Sequence, residues 1–390
     1  MLRLLFITDY TETFSYKLLK GITNYSEEKG QWSICRMPSS YKNEIGIPGL
    51  LKWAKDWEID AIIGRFEEID NIDLIRDNGI IVVAQDFKKR FKNIPNITAD
   101  YIGTGRMAAR FYLERGFHNF GFFGFNDVCW SDERREGFRK EIKDAGFGDS
   151  FYEYKMQDID QNWHYEREKL TDWLSSLPKP IAIMACDDNQ GNNLIEACNS
   201  AGIRIPAEVS VIGVDNDDLM CNLSLPSLSS ISVDIEKGGY RAAQMIEHLV
   251  SNPDAIHEDI VLMPIRIVGR LSTAAYATDD REIQKAVLFI HQNSHRKISV
   301  EDVVKKVALS RRLLEIRFKK VTGQSIWQYI SDLKLKTFAD MLLETNDQVI
   351  NIALSLGESD AKNISKKFKA VYGCSPNEWR VRNLSRNDTV

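Results

Sequence analysis

Short apolar runs alternate with stretches of helical periodicity over residues 1–270. The runs are LRLLFIT (2–8), DAIIG (60–64), IIVVAQ (80–85), NFGFFGF (119–125), IAIMAC (181–186) and VSVIGV (209–214). Between them lie amphipathic segments, among them 16–29, 102–115, 132–145, 165–177 and 192–201. Strands separated by helices of this length predict βαβ units and a parallel sheet. The spacing between strands varies, so no solenoid repeat is expected.

The pattern changes after residue 270. Residues 271–281 (LSTAAYATDDR) are small and polar and read as a linker. From 282 onward only helical periodicity remains, beginning with Ile283, Val287 and Ile290. Ser299, with Asp302 three residues on, predicts a capping box. Ser310 can cap the next helix, in which Leu314 and Phe318 face inward and Arg311, Arg312, Glu315 and Lys319 outward. Helix, short turn and basic helix make a helix-turn-helix pattern. It recurs over 348–376, with Ile352 and Ala353, a turn at Gly357, and then Ser359, Lys362, Asn363 and Lys366 along one face around Phe368.

A chain of 390 residues with 43% apolar and 27% charged positions supports two or three folding units. Its net charge of −5 argues against nucleic acid only until the distribution is considered. Residues 281–390 carry 20 basic and 12 acidic side chains, net +8, whereas the rest carries 31 and 44, net −13. Such asymmetry is expected when one module alone meets a polyanion. The six cysteines show no CxxC spacing, so reduced thiols and no metal site are expected. No apolar run approaches ~20 residues, so no membrane helix is predicted. The N-terminal apolar run reaches Asp9 at once, which reads as a first strand rather than a signal peptide and points to the cytoplasm.

In parallel α/β folds, function sits at the C-terminal ends of the strands. Here those ends read Asp9, Arg65, Gln85-Asp86, Asn126-Asp127, Asp187-Asp188 and Asp215-Asn216. No GxGxxG follows the first strand, and neither a P-loop nor a GxSxG elbow occurs. An α/β enzyme fused to a regulatory tail is therefore disfavoured, and no cofactor is called for. A crevice rich in Asp, Asn and Arg with flanking aromatics suits a neutral polyhydroxylated ligand.

Three stretches carry a family resemblance: ITADYIGTGRMAARFYLERGFHNFGFFG (97–124), ERREGF (133–138) and AGIRIPAEVSVIGVDND (201–217). Together they resemble the LacI/periplasmic sugar-binding type I family. The resemblance implies a sensor over 1–270 whose two lobes close on a sugar, lobe one about 1–99 and 233–262, lobe two about 100–232. The chain starts at the first strand of this sensor, with no counterpart of that family's N-terminal DNA-binding headpiece. The family's ligand arginine falls on Arg134, its strand-end acid on Asp215 with Asn216 beside it, and its stacking tryptophan on Trp163 within DIDQNW. Asp86 and Asp187 are further ligand candidates, although either can equally cap a helix. Trp130 and Phe14 follow strand ends and read as sugar platforms or core aromatics. Where the family often has Asn-Asp, this chain has Cys186-Asp187.

The segment 282–382, within a domain running 282–390, resembles the AraC-type double helix-turn-helix. The motifs are Ile352-Ala353, Gly357, Phe368-Lys369, Gly373-x-Ser375-Pro376 and Trp379-Arg380. The departures are Glu358 for an aromatic, Ile364 for a core Phe, and Lys334-Leu335 for Arg-Leu. The pairing of both modules resembles the family of xylose-operon activators. It implies an activator of pentose catabolic genes with D-xylose as first-choice effector, or L-arabinose or a xylo-oligosaccharide instead. Double-stranded operator DNA, RNA polymerase and a second copy of the chain in a homodimer are the implied partners; no membrane is.

Overall fold

The apolar runs form inner strands of two parallel sheets in a computed structural model, which describes residues 1–8, 13–67, 69–156, 167–253, 255–358 and 360–385. The first sheet takes β1 (Arg3–Ile7), β2 (Ser33–Met37), β3 (Ala61–Arg65), β4 (Ile81–Gln85) and β5 (Asn96–Ala99). The second takes β6 (Phe120–Phe125), β7 (Phe151–Met156), β8 (Ile181–Ala185), β9 (Val209–Val214) and β10 (Ser229–Val233). Then β11 (Ile260–Leu262) returns to the first sheet and β12 (Pro264–Val268) to the second, where it runs antiparallel to β10. The strand orders are β11-β5-β4-β3-β1-β2 and β12-β10-β9-β8-β6-β7. In each lobe the first strand lies between the second and third. The connections reverse there, and the crevice beyond the strand ends at such a point is where α/β sheets bind ligands.

Among the described residues, six strands and four helices of the sensor escape the periodicity reading. β2 and β7 are half-exposed edge strands of mixed polarity, SICRM and FYEYKM. β10 is buried, yet reads SSISV, serine-rich rather than apolar. The helices are Ser39–Asp56, Ile72–Arg76, Asp218–Leu223 and Ile235–Ser251.

Helix Tyr101–Leu113 crosses helix Cys129–Asp144 at closest backbone range. A Cβ on Gly105 would stand 2.0 Å from the Arg134 carbonyl oxygen, and one on Gly137 would stand 2.1 Å from that of Ile102. This crossing explains the spacing in ERREGF: Gly137 admits the neighbouring helix, Phe138 fills the core, and Arg134 is one turn earlier. Gly105→Ala should therefore lower stability by about 1–3 kcal/mol, as overpacking does. A lower urea midpoint is the check; an unchanged midpoint would mean the crossing yields freely.

Residues 271–281 are packed rather than free-running. Ser272 and Thr273 are buried against lobe two. The Ser272 hydroxyl donates to the Val211 carbonyl at 2.6 Å and accepts from the Ser229 amide at 2.8 Å. The Ala277 amide donates to the Arg115 carbonyl at 3.0 Å.

The remaining chain is helical. One core unites Ile283, Val287 and Ile290 of Arg281–Gln292 with Val303, Leu314 and Phe318. A second unites Phe338 and Leu342 with Ile352, Ala353, Ile364 and Phe368. Helix Ile326–Glu344 joins the two units. No helix among the described residues is long and apolar enough to cross a membrane.

Candidate functional site

Helix Cys129–Asp144 follows β6 and brings Arg134 to the crevice end of lobe two. Arg134 is only 4% exposed. Its Nη1 donates to the Cys186 carbonyl at 2.5 Å and its Nη2 to Asp215 Oδ1 at 3.3 Å. The guanidinium lies 5.2 Å from the Tyr101 ring centre and 5.5 Å from that of Trp130. Burial opposes its charge, but Asp215 beside it holds its pKa above the usual arginine value. Asp215 and Asn216 have φ of 93° and 48°, a left-handed turn that sets both side chains just past β9. Such strain in non-glycine residues is common at functional sites. Asn216 accepts from Arg270 Nη2 through Oδ1 at 2.9 Å.

The other candidates have defined places. Asp86 is buried, accepting from the Tyr101 hydroxyl at 2.8 Å and from Arg90 Nε at 3.2 Å. Burial pushes its carboxyl above the usual range. Asp187 caps helix Asp188–Ser200, accepting from the Gln190 amide at 2.7 Å. Trp130 stands edge-on to Phe125, and both it and Phe14 are half-buried against the core. Trp163 lies outside the described residues.

A group of buried polar atoms shares these strand ends, of which the sequence points to Gln85 and Arg134 but not to Gln190 or Ser15. Gln85, last residue of β4, is 2% exposed, and neither end of its amide has a hydrogen-bond partner among the described residues. The same holds for Gln190 Nε2, Arg134 Nε and Ser15 Oγ. Buried polar groups are normally satisfied, and each orphan costs about 1–3 kcal/mol. A ligand bearing hydroxyls would satisfy them. Burial was the missing signal, and it is visible only once the chain is folded.

Besides the Tyr101–Asp86 bond, several contacts hold the lobes together around this crevice. Lys17 Nζ donates to the carbonyls of Asp215 and Asn216, 2.8 Å each. Thr13 donates to the Asp217 carboxylate. Arg90 grips both oxygens of Glu133 at 2.9 Å. The Phe87 carbonyl accepts from Cys129 N at 2.8 Å.

Asp188 adds a pH signature. Burial pushes its carboxyl up to about 8, and Asp215 and Asp187 act in the same sense, while Ser230 and the Asp217 amide oppose it. An unfolded aspartate titrates near about 3.9. Between those values the native state holds the extra proton, so this contribution to stability falls progressively as pH rises from about 4 to about 8. Asp188→Asn should flatten that fall in urea unfolding measured across this range. An equally steep fall in the variant would assign the proton to another group.

The recognition helices are Arg311–Thr322, capped by Ser310, and Ala361–Tyr372, capped by Asp360. Ser299 and Asp302 form the reciprocal capping box of the preceding helix. Arg311 and Arg312 are exposed at the first turn, Glu315 is half-buried and Lys319 exposed. Arg311 pairs with Glu301 at 2.5 Å, whereas Arg312 has no ion pair among the described residues. Leu313 and Ile316 are exposed on the same helix, apolar positions the sequence reading left unassigned. In the second unit Lys362, Asn363 and Lys366 are exposed; Ser359 lies outside the described residues. Two sequence departures compensate each other, because Lys334 and Glu358 form an ion pair at 3.0 Å. Ile364 fills the core position of the third.

Comparison with known proteins agrees with this geometry. A family described as "Periplasmic binding protein-like domain" matches residues 109–273, and a "Helix-turn-helix domain" matches 303–382. The xylose operon regulatory protein of Haemophilus influenzae is 30% identical over 330 residues, covering 83% of this chain and 85% of that protein. Its namesake from Escherichia coli K12 is 24% identical over 386 residues, 97% of this chain and 96% of that one. The solved structure of a xylose-binding transcription activator matches with TM-score 0.63 and 23% identity, covering 97% of both chains. A LacI-family regulator from Enterococcus faecium with bound ribose matches at 0.59 and 20% identity, over 70% of this chain and all of that one. At these identities the structural likenesses speak for the fold.

Proposed function

The chain belongs to the family of xylose operon regulatory proteins, a sugar-sensing transcriptional regulator with an AraC-type DNA-binding module and not an enzyme, and we propose that it is a D-xylose-responsive activator of pentose catabolic genes. The observation that carries the sugar reading is the set of buried polar atoms without partners among the described residues, at the strand ends beside Arg134 and Asp215. In this reading Arg134, Asp215 and Asn216 take sugar hydroxyls, with Gln85 and Gln190 completing the set from the two lobes. Trp163 is the stacking tryptophan of this reading, and Asp86, Asp187, Trp130 and Phe14 complete the sugar-binding set. The protein acts in the cytoplasm as a homodimer, and RNA polymerase is its partner at the promoter. L-arabinose and a xylo-oligosaccharide are the competing effectors, and a sugar panel separates them.

On the DNA side, residues 282–382 carry the affinity. Phosphate neutralisation releases counterions, so affinity should fall steeply with salt. The test compares fragments 1–272 and 282–390 on a duplex recovered by binding-site selection. The second should bind, with a strongly negative slope of log affinity on log salt. Equal binding by the first fragment would refute this division of labour.

A further inference from the structure

Two strands lie between the crevice turn and the DNA-binding module. β10 lies between β9, whose end leads into Asp215 and Asn216, and β12. The Asp215 amide donates to the Ile231 carbonyl at 2.9 Å, and Ile231 pairs with Ile267 of β12. The adjacent β12 residue, Arg266, donates from Nε to Asp340 Oδ1 at 2.7 Å. Asp340 belongs to Ile326–Glu344, the helix that joins the two helix-turn-helix units. A second link runs beside the first. Arg270 donates from Nη2 to Asn216 Oδ1 at 2.9 Å and from Nη1 to the Leu228 carbonyl at 3.0 Å, while its amide is fixed to Ser229 Oγ at 2.7 Å.

This joint is electrostatically lopsided. Arg266 and Arg270 from the sensor and Lys336 from the helix all act on Asp340, and Arg115 acts on Lys336. Burial raises the Asp340 carboxyl and lowers the Lys336 ammonium, so the cluster is largely withdrawn from water. The Asp340 carboxylate offsets part of the mutual repulsion of these cations, and Asp218, 3.9 Å from Arg270 Nη2, offsets another part. Where one partly buried charge holds others, its removal or displacement is strongly felt. Docking therefore depends closely on where β12 presents its arginines.

We propose that Arg266 and Arg270 are positioning residues that transmit sugar occupancy from the Asp215–Asn216 turn to the helix joining the two DNA-binding units, with Asp340 as the receiving group. The inference rests on the reading of that turn as part of the sugar site. Arg270 occupies the amide oxygen of Asn216, which leaves the amide hydrogens for a sugar hydroxyl. A sugar that fixes this amide fixes Arg270, and with it the end of β12. Coupling of this kind is reciprocal, so DNA on the helical module must act back on β12 and the crevice.

The experiment is amide hydrogen exchange on the full chain, with D-xylose or with the selected duplex. In the parent, saturating D-xylose should slow exchange about fivefold or more, the lower end of ordinary allosteric coupling, both at 214–217 and along 326–344. In Arg266→Ala and in Asp340→Asn, protection at 214–217 should persist while that along 326–344 is lost. The exchanged pair Arg266→Asp with Asp340→Arg should recover part of it. Undiminished protection of 326–344 in both single variants would overturn the relay. Should D-xylose protect neither segment of the parent, the sugar reading fails, and the duplex arm decides the relay alone. Duplex binding must then slow exchange at 264–270 in the parent and not in the single variants. Equal protection in all proteins, or none in any, overturns it.

Discussion

Replacing Arg134 with alanine is expected to weaken sugar binding by about 100-fold or more while the chain stays folded and still binds DNA without sugar. Hydrogen bonds to charged groups contribute about 1.5–3 kcal/mol each, and about 1.4 kcal/mol is a tenfold change in affinity. Arg134 presents a buried fork whose Nε has no partner among the described residues. Its loss removes more than one such bond and also frees Asp215, which it now orients at 3.3 Å. Arg134→Lys separates charge from geometry, because an ammonium keeps the charge but not the planar fork. The lysine variant should recover only a minor part of the affinity. The checks are calorimetric titration and an unfolding curve for each variant. Sugar affinity equal to that of the parent in Arg134→Ala would remove Arg134 from the site.

The second large effect lies at the DNA surface. Neighbouring helix-turn-helix units reach one face of a duplex only about one helical turn, roughly 34 Å, apart, so the two recognition helices of this chain should enter successive major grooves. Arg311 and Arg312 open the first recognition helix, and arginine forks onto guanine edges. The structure orders these two. Arg311 must leave Glu301, an exposed pair of the kind that contributes little, whereas Arg312 has no such partner among the described residues. Arg312→Ala should cost about 1–3 kcal/mol at its preferred sequence and relax selectivity at one base position, with Arg311→Ala next. Lys366→Ala should weaken all sites alike, as loss of a phosphate contact does. Binding-site selection with the three variants is the measurement. If both arginine variants kept the parent's base preferences and Lys366→Ala lost them, the second unit would be the main reader.

Much of this was legible in the chain because its signals are local. The strands β1, β3, β4, β6, β8 and β9 are largely apolar runs, as expected of parallel strands buried on both faces. The capping box at Ser299 and Asp302 and the inward Leu314 and Phe318 follow from residues three or four apart. What was illegible depends on distant partners. β2 and β7 are edges that bury too little to show an apolar run. β10 is serine-rich because its hydroxyls serve other chain segments: Ser230 accepts from the Asn216 amide, and Ser229 from that of Arg270. The crevice divides in the same way. Arg134, Asp215 and Asn216 sit in recognisable motifs, and the fold brings them together. Gln85 shows only as a polar strand end and Gln190 not at all, and both become notable as buried amide groups without partners among the described residues. The departures at Lys334 and Glu358 look like two separate losses in the sequence. They are one ion pair between residues 24 positions apart.

The most direct test of the central claim is calorimetric titration of the full chain with a panel of pentoses and hexoses. D-Xylose should bind saturably at one site per chain, tighter than L-arabinose or any hexose, and not at all in Arg134→Ala. No heat from any pentose, or D-xylose binding that Arg134→Ala leaves intact, would contradict the claim.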